Sequence, residues 1–283
     1  MSRALDPDSP IVVGALGGSG TRVLGDILIG AGVHLGGNLN TANDSVTATV
    51  LFNRPRWERT ATAEELEAAF HRLRRFLLRR DVSLSDHWAL ARAALRPGHT
   101  EGVRRRVRYA RRVVREKGPG SATSWGWKEP NSHIFVPALA GIFPGLRFIY
   151  LARHPLDMAF STNLNQLRNW GGRYGVEVGD DVDGLARGQL DLWIAATRDA
   201  CAVGPALLGS RFLHLRFDDL VDQPRATVDR VVDFIGTPVA ETDRDRLAGL
   251  PREPKTRGRH RDRDVSVFRS DQLDAVAELW GEI

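Results

Sequence analysis

Three short runs in this chain are apolar at nearly every position: residues 11–16 (IVVGAL), 147–153 (RFIYLAR) and 211–217 (RFLHLRF). Each is rich in β-branched or aromatic residues and gives way to a turn or helix signal, the pattern of strands covered on both faces. Between them the period changes. Residues 21–32 place Val23, Leu24, Ile27 and Leu28 on one side. Residues 63–80 align Leu66, Phe70, Leu73 and Leu77, and residues 102–116 align Val103, Val107, Ala110 and Val114 opposite a set of arginines. Residues 191–203 read as a buried helix. A further helix opens at Pro224, carries Val228, Val231, Val232 and Ile235, and stops at Gly236. Strands alternating with helices predict an α/β fold in three layers, a central parallel sheet flanked by crossover helices. Residues 60–118 contain no strand-like run and read as a helical insertion into one domain spanning 1–283.

Composition narrows the picture without choosing a function. The chain has 283 residues, 42% of them apolar, enough for a core that needs no disulfide or metal. Cys201 is the single cysteine, which excludes an intramolecular disulfide and a multi-cysteine zinc site. The N-terminal residues carry two acids and a proline before a short apolar run, unlike a secretory signal. No segment approaches the roughly 18 apolar residues that span a bilayer. The expectation is a cytoplasmic protein. The net charge of +5 favours anionic ligands of any kind.

The first strand leads into Gly14-Ala15-Leu16-Gly17-Gly18-Ser19-Gly20-Thr21-Arg22, a glycine turn opening a helix. Small residues let backbone wrap an anion, and the helix start offers free N–H groups and a positive dipole end. Ser19 and Thr21 add hydroxyls and Arg22 a guanidinium. The pattern is neither the Walker loop, which needs a lysine before its Ser/Thr, nor the dinucleotide fingerprint, whose last glycine would fall at Val23.

A second anion signal is sharper. The strand at 147–153 ends in Arg153, Pro155 opens a helix, and Ser161 stands eight residues after the arginine, two turns into that helix. A strand's carboxyl end is where open α/β sheets bind ligands. This arrangement resembles the sulfotransferases that use 3′-phosphoadenosine 5′-phosphosulfate (PAPS). Their 3′-phosphate motif is a strand ending in Arg, then x-Pro, then Ser eight residues beyond the Arg. The glycine loop resembles their 5′-phosphosulfate loop. Residues 216–236 resemble their late segment, an acidic pair, a proline, and a helix closing on Phe-Gly. The resemblance covers most of the chain outside 35–120 and implies a P-loop-NTPase-like fold. It also implies PAPS as donor, PAP as product and no metal. In one departure, Gly18 stands where the family carries Lys or Arg before S-G-T; Arg22 is the residue placed to supply that charge.

Carried over residue by residue, the resemblance gives Arg153 and Ser161 to the 3′-phosphate. It gives Gly18, Ser19, Gly20, Thr21 and Arg22 to the 5′-phosphate and sulfuryl group. Between the two motifs lies Ser124-Trp125-Gly126-Trp127-Lys128-Glu129-Pro130-Asn131-Ser132-His133. Pro130 keeps Glu129 extended. Lys128 matches the family's strand-end lysine, a contact to the sulfuryl or bridging oxygen. Glu129 is the leading general base and His133 its competitor. The tryptophans read either as core packing or as a stacking surface.

Late in the chain, Arg257-Gly258 within residues 251–268 matches the basic loop that closes over the nucleotide in this family. Residues 104–115 carry seven arginines. They form either a solvated face or an attraction surface for an anionic acceptor. Asn40, Asn43 and Asp44 lie in a polar loop able to line an acceptor cleft. The acceptor is expected to be a small molecule, carbohydrate or lipid bearing a hydroxyl or amine. No specific nucleic-acid partner is implied. The alternatives are a basic nucleotide- or nucleic-acid-binding protein without catalysis, or a P-loop kinase.

Overall fold

The apolar runs pair side by side in one sheet. The structure, a computed structural model, describes residues 5–96 and 103–281. The chain begins β1 (Ile11–Ala15), α1 (Thr21–Gly30), β2 (Val33–His34), α2 (Val46–Phe52) and α3 (Pro55–Glu58). Next come α4 (Ala63–Leu78), α5 (Leu84–Leu95), α6 (Val103–Val113), β3 (Ser124–Lys128) and α7 (Val136–Ile142). Then follow β4 (Arg147–Ala152), α8 (Pro155–Ala159), α9 (Asn165–Trp170), α10 (Val182–Leu208) and β5 (Phe212–Arg216). The chain closes through α11 (Phe217–Asp222), α12 (Pro224–Ile235), α13 (Glu241–Ala248) and α14 (Ser270–Trp280).

The sheet order is β2-β3-β1-β4-β5, and every pairing is parallel. Val13 of β1 stands opposite Lys128 of β3 on one side and Ile149 of β4 on the other. Gly126 is required by this pairing: a Cβ there would lie 1.7 Å from the Ile11 carbonyl oxygen. Alternate residues of the central strands feed two separate cores. Val12, Phe148 and Tyr150 join Trp127, Phe70 and Trp193 on one face, while Ile11, Val13, Ile149 and Leu151 join Leu24, Leu28, Val231 and Ile235 on the other. These are three layers, helix–sheet–helix, as the strand–helix alternation predicts.

All three expected strands form, each one or two residues shorter than its apolar run. The helix expected over 21–32 stops at Gly30 because Gly32 turns to positive φ. The stretch 60–118 holds α4, α5 and α6 with no strand among the described residues. Ser83 and Asp86 cap α5 reciprocally, and Asp86 also binds Arg72 and Arg75 of α4, tying that hairpin together. Ser161 departs from expectation. Helix α8 is only five residues long, so Ser161 lies beyond its end in the link to α9, not two turns inside it.

Trp125 and Trp127 belong to the core. Both are buried, their indole N–H groups donate to the Asp6 carbonyl (2.7 Å) and the Ser132 hydroxyl (3.1 Å), and Phe143 packs against both. Trp127→Ala should therefore cost about 3–5 kcal/mol of stability, read from urea unfolding. A loss below 1 kcal/mol would contradict the packing role.

Candidate functional site

Because β1 is flanked by β3 and β4 in matched register, the carboxyl ends of all three strands open onto one place. The glycine turn leaves β1 there, Lys128 and Glu129 end β3 there, and Arg153 follows β4 there. The expected site residues are brought together by this arrangement, with exceptions given below.

The glycine turn delivers backbone N–H groups to the start of α1. Gly20 is the helix N-cap at φ 86°, and no side chain caps the helix. A Cβ at Gly20 would lie 2.3 Å from the Phe217 ring, so only glycine fits. Thr21 is buried at the helix start, whereas Arg22 is exposed one residue on. Lys128 is fully buried, and its ammonium donates to the Thr21 hydroxyl (3.2 Å), the Ala42 carbonyl and the Asp44 carboxylate. Burial pushes its pKa down, and the Asp44 charge opposes that shift.

Glu129 is 2% exposed and extended, at φ −148°. One carboxyl oxygen accepts from Asn131 Nδ2 (3.1 Å), and the other, Oε2, has no partner. Burial first, and the nearby Asp44 charge second, push its pKa up to about 8; Asn131 and Lys128 oppose the shift. Glu129 lines a cleft of about 680 Å³ together with Gly17, Gly18, Thr21, Asp44 and Tyr109.

His133 does not line that cleft. It is buried beside Tyr150, 5.8 Å between ring centroids, with Nδ1 3.0 Å from the Pro130 carbonyl. Burial pushes its pKa down to about 4. The short 3₁₀ turn begun by Pro130 packs against β1, and His133 Nε2 is buried there without a hydrogen-bond partner.

Arg153, 5% exposed, joins three segments. It donates to the Gly18 carbonyl (3.4 Å) and the Thr256 hydroxyl (3.0 Å), and it faces Asp157 at 3.8 Å. Its Nε is buried without a partner. Arg257 is differently placed: its guanidinium is engaged by Asp218 (3.1 Å), Asp222 and Glu253, so its charge is committed within the protein. Gly258, at φ 71°, donates its N–H to Asp157 (2.8 Å). Ser161 is half-buried, with its hydroxyl accepting from the Asn163 N–H (3.2 Å).

Three participants escaped the sequence reading. Asp157 accepts from Gly258 N–H, His260 N–H and His260 Nδ1 (2.7 Å), fastening the late basic loop to α8. Thr256 completes Arg153's contacts. Asn131 holds Glu129. The paired acid and histidine, 103 residues apart, leave no local signature. His154 stacks on His260 at 4.2 Å with the rings 1° from parallel, beside Asp157. Imidazole lone pairs lie in the ring plane, so two stacked rings aim them along parallel lines rather than at one ion. The cluster is shaped as a latch, not a metal site.

Residues 10–241 match the Sulfotransferase family, and the chain belongs to it. Two solved structures share the fold. The sulfotransferase domain of the olefin synthase from Synechococcus PCC 7002 aligns with TM-score 0.54 and 15% identity, covering 100% of this chain and 98% of that one. The sulfotransferase domain from the curacin biosynthetic pathway aligns with TM-score 0.53 and 14% identity, covering each chain fully. No curated protein matches the sequence. The fold is therefore the P-loop-NTPase-like fold of sulfotransferases, and the protein is a transferase of that family. The kinase alternative is left without support.

A carboxyl whose pKa rises on folding costs stability above its unfolded value. Folding is unpenalised below about pH 4.3, and the cost grows until the folded group ionises near pH 8. Glu129→Gln should thus raise the urea midpoint, more at pH 8 than at pH 5. An equal change at both pH values would contradict a buried, uncharged Glu129.

Proposed function

We propose that this protein transfers the sulfuryl group of PAPS to a hydroxyl of a polar acceptor, with Glu129 as general base. The observation that carries the proposal is the unpartnered Glu129 oxygen at the strand end that faces the glycine turn. The chain offers what the donor requires. Free N–H groups at the α1 start and the Thr21 hydroxyl suit the 5′-phosphosulfate. The buried Arg153, with its unpartnered Nε, suits the 3′-phosphate, and Ser161 and Gly258 lie on the segments beside it. PAPS supplies, when bound, a sulfuryl group on a phosphate leaving group.

Glu129 in its ionised form takes the acceptor's proton as the acceptor oxygen bonds to sulfur. The bond from sulfur to the phosphate oxygen then breaks, and PAP departs. Lys128 stands one hydrogen bond from Thr21 and puts its ammonium where negative charge grows on that leaving oxygen. Asp44 favours the charged form of Lys128 against the effect of burial, and the same carboxylate raises Glu129. A base with pKa near 8 is well matched to neutral or mildly alkaline operation.

The rest of the cleft is lined by amides, among them Asn40, Asn53, Asn131, Asn163, Asn165 and Gln166. Each amide both donates and accepts, which suits an acceptor with several hydroxyls, such as a carbohydrate or polyol, better than an apolar one.

Calorimetric titration with PAP beside 5′-AMP tests the donor site. PAP should bind far more tightly, and Arg153→Ala should weaken it by about 1.5–3 kcal/mol. Equal affinity of the variant for PAP would overturn the assignment of Arg153. Glu129→Gln should keep PAP affinity while lowering kcat by roughly 10²–10⁴, with a hydroxyl-bearing acceptor and PAPS. Full activity in that variant would exclude Glu129 as base.

A further inference from the structure

Five of the seven arginines in residues 104–115 line one groove of about 470 Å³: Arg104, Arg108, Arg111, Arg112 and Arg115. The lining holds no acidic side chain and no aromatic ring. Arg104, Arg108 and Arg111 are exposed at i, i+4 and i+7 of α6, so their stems rise about 5–6 Å apart along one helix face. Among the described residues, the guanidinium groups of these three and of Arg115 have no hydrogen-bond or ion-pair partner. Like charges at this spacing destabilise a helix. No internal carboxylate offsets that repulsion here, whereas a row of bound anions would.

The groove and the catalytic cleft share a wall. Asn38 lines the groove and Asn40 the cleft; on α6, Arg108 lines the groove and its neighbour Tyr109 the cleft. The two segments are bonded to each other. Arg112 donates from its guanidinium to the Leu39 carbonyl (2.6 Å), and the Asn38 side-chain amide donates to the Arg112 carbonyl (2.7 Å). The two sides of this wall suit different chemistry. Amides around Glu129 suit hydroxyls, and the groove suits anions set in a row. A linear carbohydrate with an acidic group on successive sugars carries both, at a repeat close to the arginine spacing. Single-stranded nucleic acid also carries both, but it draws affinity from stacking on aromatic rings, which the groove lacks.

We propose that the groove is an acceptor subsite for an anionic carbohydrate chain. The chain lays its acidic groups along Arg104, Arg108 and Arg111 and offers a hydroxyl to Glu129. Its role as acceptor rests on the sulfuryl-transfer reading above; its affinity for the groove does not.

The probe is a short oligogalacturonate, with a carboxylate and free hydroxyls on each sugar, beside its methyl ester, the same chain without charge. Both are titrated into the full chain with PAP present to fill the donor site. The acid form should bind, less well as salt is raised, and the ester at least about tenfold more weakly. Arg104→Gln/Arg108→Gln/Arg111→Gln should lower affinity for the acid form about tenfold. That variant should bind PAP as the parent does and unfold as cooperatively in urea, which shows that it is folded. With PAPS, its KM for oligogalacturonate should rise by a similar factor while kcat stays near the parent's. Equal binding of acid and ester, or full affinity in the variant, would overturn the proposal. So would a single-stranded RNA of matched charge that binds more tightly than the acid chain, since the groove would then serve nucleic acid. Transfer to a neutral polyol but not to the bound oligogalacturonate would overturn its role as acceptor. A parent that binds oligogalacturonate but not PAP would instead sink the sulfuryl-transfer reading and leave the groove's ligand standing.

Discussion

The parallel register of β1 between β3 and β4 is the constraint on which the site depends. With Val13 opposite both Lys128 and Ile149, the three strands end at nearly the same height. The glycine turn, the Lys128–Glu129 pair and Arg153 converge although the first lies more than a hundred residues before the other two. A slip of one residue in β3 would exchange the faces of Trp127 and Lys128. The indole would lose its place among Phe70, Phe143 and Trp125, so the aromatic core holds the register that aims the lysine.

Within that frame, burial acts on Lys128 and Glu129 in the same sense, pushing each toward its neutral form. Asp44 separates their fates. Its carboxylate pairs with the Lys128 ammonium and favours the charged lysine, while repelling charge on Glu129. Asp44 is itself shaped by Asn40, whose side chain accepts from the Ala42 and Asp44 N–H groups and donates to the Asp44 carboxylate (2.7 Å). The loop is anchored below by buried Glu116, which accepts from Gly37, Asn38 (3.0 Å) and Thr47. A residue just past α6, more than seventy positions from Asp44 in sequence, thus helps to hold the loop whose carboxylate acts on Lys128 and Glu129.

Much of this was legible in the sequence. Strands buried on both faces reveal themselves as continuous apolar runs, and the glycine turn, Arg153 and the Lys-Glu-Pro strand end announce themselves by local spacing. What stayed hidden depends on contacts between distant segments. The two-residue strand β2 is too short to carry a period. Ser161 sits beyond α8 because that helix ends after five residues, a stop with no glycine or proline to mark it. His133 sits in the 3₁₀ turn after Pro130, whose packing on β1 no local pattern announces. The Asp157–His260 latch is a pairing across 103 residues.

The basic character of the chain illustrates the same limit. A net charge of +5 does not say which cations are available. Arg225, Arg244, Arg257 and Arg269 each meet two or more carboxylates and hold the helices and the late loop in place. Arg257 in particular spends on Asp218 and Asp222 the charge that its motif suggests for a nucleotide. What lies beside Arg153 is instead that loop, held through its backbone by Asp157 and touched by Arg153 through Thr256. The arginines at 104, 108 and 111 are placed the opposite way, exposed on a helix with no acidic residue of its own.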